Sequence, residues 1–133
     1  MTLTGLNRIL LADDQEALRR RVRATLTGAG FDVCGEAQDG REAVEKASQL
    51  RPDAVVLDIT MPGMNGLDAA RILQKILPEI PIVVLTMHES RQLIEEARRL
   101  GVRGYVNKSH AGRDLIPALQ AVLGNNIFFP AGA

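Results

Sequence analysis

The sequence predicts an α/β fold: five strands and five helices alternate as (βα)5, doubly wound about a parallel sheet in a three-layer α/β/α sandwich. Three observations predict it. Five short apolar runs alternate with five stretches of helical periodicity. The runs Ala54-Val55-Val56-Leu57 and Ile82-Val83-Val84-Leu85 lack polar alternation, the pattern of strands covered by helices on both faces. The chain has 133 residues, which suits one domain built on one such sheet. Right-handed crossovers then open a ligand crevice at the carboxyl ends of the strands.

The elements follow in order. Arg8 to Ala12 is the first strand, and Leu18, Val22, Leu26 and Ala29 mark a helix from Asp14 to Ala29 that Gly30 ends. Phe31 to Ala37 is the second strand, followed by a helix carrying Ala43, Val44, Ala47 and Leu50. Ala54 to Leu57 is the third strand, with a helix from Leu67 to Leu77 that Asn65 is placed to cap. Ile82 to Leu85 leads to a fourth helix with Leu93, Ile94, Ala97 and Leu100, closed by Gly101. Gly104 to Val106 leads to a fifth, with Leu115, Ile116, Leu119, Val122 and Leu123, closed by Gly124. Pro117 falls inside that helix, where a missing donor and a clash with the preceding turn predict a kink or a late start. Residues 125–133 read as a tail or the beginning of a linker after a domain spanning 1–124.

Composition narrows the function. Hydrophobic residues are 46% and charged residues 24%, enough to build a core and unlike a disordered chain. Sixteen basic residues balance sixteen acidic ones, so no global field draws the chain to nucleic acid or an anionic membrane. Arg19, Arg20, Arg21 and Arg23 form the densest basic cluster, and without aromatic partners for base stacking they read as a solvated helix face. Cys34 is the single cysteine, which excludes an internal disulfide framework, and it reads as a small buried apolar residue. The apolar runs fall short of the ~20 residues that span a bilayer. The expectation is a cytoplasmic protein with no membrane partner.

Chemistry gathers at the strand ends. The first strand ends at Asp13-Asp14, the third at Asp58 and the fourth at Thr86, while Lys108 follows the fifth. Alone, each is ordinary: an Asp caps a helix, a Thr ends a strand, a Lys is solvated. Together they converge on one edge. Three carboxylates in one crevice repel, and a hard cation such as Mg2+ relieves this while keeping sites for phosphate oxygens. A carboxylate can attack phosphorus, a Lys ammonium can neutralise phosphoryl oxygens, and a Thr hydroxyl can donate to one. No His or Cys stands among them as base or nucleophile, and no glycine-rich phosphate loop appears, which argues against a nucleotide-dependent kinase or a triad hydrolase.

These stretches, Ile9-Leu10-Leu11-Ala12-Asp13-Asp14, Val55 to Leu67 with Asp58-Ile59-Thr60-Met61-Pro62-Gly63 at its centre, Ile82 to Thr86, and Gly101 to Ser109, resemble the receiver domain of bacterial two-component response regulators. The likeness covers roughly Asn7 to Leu123. Gly30 to Ala37, followed by Asp39-Gly40, is similar to the NarL/LuxR (FixJ) subfamily. The resemblance implies a flavodoxin-like (βα)5 fold with strand order 2-1-3-4-5. It implies that Asp58 accepts a phosphoryl group from a sensor histidine kinase, and that Asp13, Asp14, Asp58 and the backbone carbonyl of Thr60 hold Mg2+, Asp13 through water. It further implies that Lys108 pairs with the acyl phosphate and that Thr86 and Tyr105 move inward as the switch. Homodimerisation on phosphorylation belongs to the same picture. Binding to DNA would come only through a helix-turn-helix domain, absent from this chain, beyond a linker begun at 125–133.

Three positions depart from the pattern or tune it. Ser109 stands where many receivers have proline after the lysine, which leaves the Lys108–Ser109 peptide geometry open, because a cis bond without proline costs about 3 kcal/mol. Thr60 and His88 each lie two residues past a site residue, where they would overhang the phosphoryl group and tune its hydrolysis. An aspartyl-nucleophile phosphohydrolase would need a second acid near Asp58, and Ile59-Thr60 supplies none.

Overall fold

The computed structural model describes residues 7–130. The order of elements is β1 (Arg8–Ala12), α1 (Glu16–Gly28), β2 (Asp32–Ala37), α2 (Gly40–Leu50), β3 (Ala54–Leu57), α3 (Gly66–Ile76), β4 (Ile82–Thr86), α4 (Arg91–Arg99), β5 (Gly104–Asn107) and α5 (Ala111–Leu123). The five strands are parallel and lie in the order β2-β1-β3-β4-β5. The expected architecture and strand order are both found, with boundaries within about two residues of those expected, except at the starts of α2 and α5, which lie earlier than the residues that marked those helices.

Alternation along each strand divides the core between two faces. Leu10, Val55, Leu57, Val84 and Tyr105 point to the side covered by α2, α3 and α4, where Ala43, Ala47, Ala69, Ala70 and Ala97 let the helices sit close. Ile9, Leu11, Val56, Val83, Leu85 and Val106 point to α1 and α5, against Val22, Leu26, Leu115 and Leu119. β3 and β4 are wholly buried, which explains their unbroken apolar runs. Each fully buried Leu contributes about 1.5–3 kcal/mol of hydrophobic stabilisation. Among the described residues no helix is long and apolar enough to cross a membrane.

Helix starts are set by side-chain caps. The carboxylate of Asp39 accepts from Glu42 N at 2.8 Å, Asn65 Oδ1 from Asp68 N at 3.0 Å, and Ser90 Oγ from Leu93 N at 3.1 Å. Asn65 therefore caps α3 as its position suggested. α1 begins at Glu16 rather than Asp14, because Asp13 Oδ1 takes the Gln15 amide at 2.8 Å and keeps the preceding residues in a turn.

One expectation is narrowed and one fails. α5 does not start late: it runs from Ala111 through Pro117, which is exposed, as is Arg113, whose carbonyl loses its helical donor on the side open to water. Cys34 is only partly buried. The register of β1 against β2 shifts between Ile9↔Val33 and Leu10↔Gly35, so Cys34 is the extra residue of a bulge in an edge strand and its side chain leaves the core face. Its Sγ lies 3.5 Å from the Ile9 carbonyl, and burial pushes the thiol pKa up.

Candidate functional site

The carboxyl ends of β1, β3 and β5 bring four of the expected side chains together. Asp13 and Asp58 are each 2% exposed, Asp14 is exposed, and the three carboxylates present oxygens within 4.8 Å of one another. Lys108 Nζ bridges the buried pair, 2.8 Å from Asp13 Oδ2 and 3.0 Å from Asp58 Oδ2. Burial works to lower the Lys108 pKa, but its hydrogen bonds to Asp13 and Asp58 and their charges outweigh that and leave it raised. The ammonium is thus held charged. One ammonium against three carboxylates leaves negative charge uncompensated, and the donors are all oxygen, so the site suits a hard divalent cation.

Local structure aims each of these groups. Asp58 Oδ1 accepts from both Thr60 N and Thr60 Oγ1 at 3.1 Å, which turns the loop after β3 directly beneath the carboxylate. The buried side chains of Ile59 and Met61 anchor that loop. Gly66 closes it: a Cβ there would stand 2.0 Å from the Asp58 carbonyl oxygen and 2.5 Å from Ile59 Cα. Lys108 opens a short 3-10 turn (Lys108–His110) in which Asn107 Oδ1 accepts from Ser109 N at 2.9 Å and Ser109 Oγ at 2.7 Å. All described peptide bonds are trans, so the Lys108–Ser109 bond is trans, and the Asn107 cap turns the chain.

Thr86 ends β4 with no exposed surface, and its Oγ1 accepts the His88 amide at 3.2 Å. Tyr105 is 1% exposed and donates its hydroxyl to the His88 carbonyl at 2.7 Å. Burial, with the Glu89 charge adding to it, pushes the phenol pKa up to about 12. His88 thus matters through its peptide group, which joins Thr86 to Tyr105, while its side chain, like that of Thr60, belongs to an exposed residue.

Arg19 corrects the reading of the basic cluster. Only 8% exposed, it donates from Nη1 to the Asp13 carbonyl at 2.7 Å and from Nε to Glu36 Oε1 at 3.0 Å. Arg23 pairs with the other Glu36 oxygen and Lys46 donates to the Glu36 carbonyl. Glu36 is partly desolvated, which would raise its pKa, yet Arg23 and Arg19 hold it below the usual carboxylate range. Arg20 does fit a solvated face, in an exposed pair with Glu16. The signal for Arg19 was present in the helical period, since Arg19, Val22 and Leu26 fall on one stripe.

The family model of the response regulator receiver domain matches residues 9–120. The chain is 39% identical to the chemotaxis protein CheY of Thermotoga maritima, over 86% of this chain and 96% of that one. It is 42% identical to the transcriptional regulatory protein PdtaR of Mycobacterium tuberculosis, over 85% of this chain but only 55% of PdtaR. Its fold matches a LuxR-family two-component response regulator from an Aurantimonas species with a TM-score of 0.90 and 32% identity, covering 93% of this chain and 89% of that one. A buried Asp–Lys pair beside two further carboxylates, on a parallel sheet of order 2-1-3-4-5, agrees with those likenesses. The chain belongs to the response regulator receiver domain family, the phosphoacceptor switches of two-component signalling.

Proposed function

We propose that Asp58 is the phosphoacceptor of this chain. The observation that carries the reading is the buried Asp58 carboxylate held by Lys108 at 3.0 Å, with Asp13 and Asp14 beside it. A carboxylate oxygen of Asp58 attacks the phosphorus of a phosphohistidine on a sensor kinase, the P–N bond breaks, and the imidazole leaves with the electron pair. Mg2+, held by Asp13, Asp14, Asp58 and the Thr60 carbonyl, would neutralise charge on the transferring phosphoryl oxygens. Lys108 supplies fixed positive charge to the same oxygens from within the protein.

The new group brings nearly two negative charges and strong acceptor oxygens. Thr86 Oγ1 already accepts from His88 and keeps its own proton free to donate, so drawing it toward the phosphoryl group pulls on His88 and through it on Tyr105. Thr60 and His88, both exposed, tune the access of water and so the lifetime of the acyl phosphate. The domain of residues 1–124 acts in the cytoplasm, dimerises on phosphorylation and governs transcription through a separate DNA-binding domain. The LuxR-family likeness and the relatives named as transcriptional regulators support this last step.

The reading is tested by incubation with Mg2+ and acetyl phosphate followed by intact-mass measurement. Wild type is expected to gain one phosphoryl group and Asp58→Asn none. Equal labelling of both proteins would overturn it.

A further inference from the structure

β5 is an edge strand, and the backbone groups on its outer side would ordinarily face water. In this chain two of them, the Arg103 carbonyl and the Tyr105 amide, are paired. After α5 the backbone turns at Asn125, with φ at 64°, and returns along β5. Phe128 forms a parallel bridge with Gly104: its N–H donates to the Arg103 carbonyl at 2.9 Å and its carbonyl accepts the Tyr105 N–H at 2.8 Å. Phe129 then stacks on the Tyr105 ring, with centroids 6.4 Å apart and planes 25° apart, while the Arg98 guanidinium of α4 lies 4.3 Å from the Phe129 centroid. Strand pairing, an aromatic stack and a cation–π contact thus meet on a segment four residues long, at the residue through which the β4–α4 loop is held.

We propose that the outer edge of β5 and the adjoining face of α4 form a docking site for an extended segment, that its occupant is this chain's own 127–130, and that the docked segment is a latch on Tyr105. The inference rests on the reading above only for the switching role of Tyr105. Tyr105 is shut in from outside by Phe129 and tied from inside to the His88 carbonyl. For the ring to swing outward, Phe129 must move. Pulling the segment off the β5 edge, by whatever follows it in a longer chain, therefore loosens Tyr105 and the His88 peptide that Thr86 also holds. The latch biases the switch toward its inward state and makes that bias sensitive to tension on the tail.

The chain has one tyrosine and no tryptophan, so its intrinsic fluorescence reports Tyr105 alone. In the unphosphorylated protein, acrylamide quenching of that emission is expected to rise severalfold in Phe129→Ala. It should stay at the wild-type level in Ile127→Ala, whose side chain is already 62% exposed. In the wild type, amide hydrogen exchange at Tyr105 is expected to be slowed about tenfold or more relative to an open edge amide, a measurement that needs no variant to fold. Quenching unchanged in Phe129→Ala, or a Tyr105 amide that exchanges as freely as an open edge, overturns the latch. Neither readout involves phosphorylation, so the failure of the latch and the failure of Asp58 as acceptor are separate results.

Discussion

Arg19 shows how a residue outside the reacting set governs it. Its guanidinium joins Glu36 on β2 to the backbone carbonyl of Asp13, so the turn that presents Asp13 and Asp14 is braced from beneath. Replacing Arg19 with Met leaves that carbonyl without its buried donor and removes one of the two arginines on Glu36, which should cost about 1–3 kcal/mol in urea unfolding and weaken Mg2+ binding at the same time. The ion pair also sets a pH dependence. Because Glu36 is held below its ordinary value of 4.5, its contribution is complete above that pH and is lost as the pH falls through the lowered folded value. The stability gap between wild type and Arg19→Met should therefore narrow in acid, and a gap that stays constant from neutral pH down to about pH 3 would contradict the account. Lys108 behaves oppositely: its raised pKa means that its pairing with Asp13 and Asp58 persists below the ordinary value of 10.5 and is lost only as the pH rises through the higher folded value.

At the scale of elements, the loop between β3 and α3 is the part that tolerates least. Gly66 has no room for a side chain above the Asp58 carbonyl, so Gly66→Ala must push the Asp58 backbone aside. A loss of about 1–3 kcal/mol and a marked fall in the rate of acetyl phosphate labelling are expected together, the first from chemical denaturation and the second from mass measurement. α5 offers the opposite experiment. Pro117 withholds a donor from the Arg113 carbonyl in an exposed stretch of helix, so Pro117→Ala should stabilise the protein by about 1–3 kcal/mol with labelling unchanged. A destabilised Pro117→Ala would show that the ring packs in a way the helix needs. Asp39 and Ser90 cap α2 and α4 in the same way, but only the start of α3 was legible in advance, from Asn65 standing before an apolar stripe. The start of α1 was not, because Asp13 spends an oxygen on the Gln15 amide, a choice that only the site explains.

For the molecule as a whole, the sheet and its order were readable because strand composition, helix period and crossover handedness all lead to one topology. The convergence of Asp13, Asp14, Asp58 and Lys108 was readable for the same reason, since the ends of parallel strands share an edge. What escaped was tertiary pairing across sequence distance: the choice of Glu36 as partner for Arg19, whose burial alone the helical period marked, the bulge at Cys34, and the return of 127–130 to β5. A cation in the acidic crevice should stabilise the fold by mass action, by about 2.7 kcal/mol at a hundredfold excess over its Kd. Thermal melting with Mg2+ and with EDTA checks this, and Asp14→Ala should abolish the difference. The central claim concerns one carboxylate among three. Its most direct measurement is phosphorylation with acetyl phosphate and Mg2+, reduction of the acyl phosphate with borohydride to convert the modified aspartate to homoserine, and peptide mapping. The account predicts homoserine at position 58 alone; homoserine at position 13 or 14, or at none of the three, would contradict it.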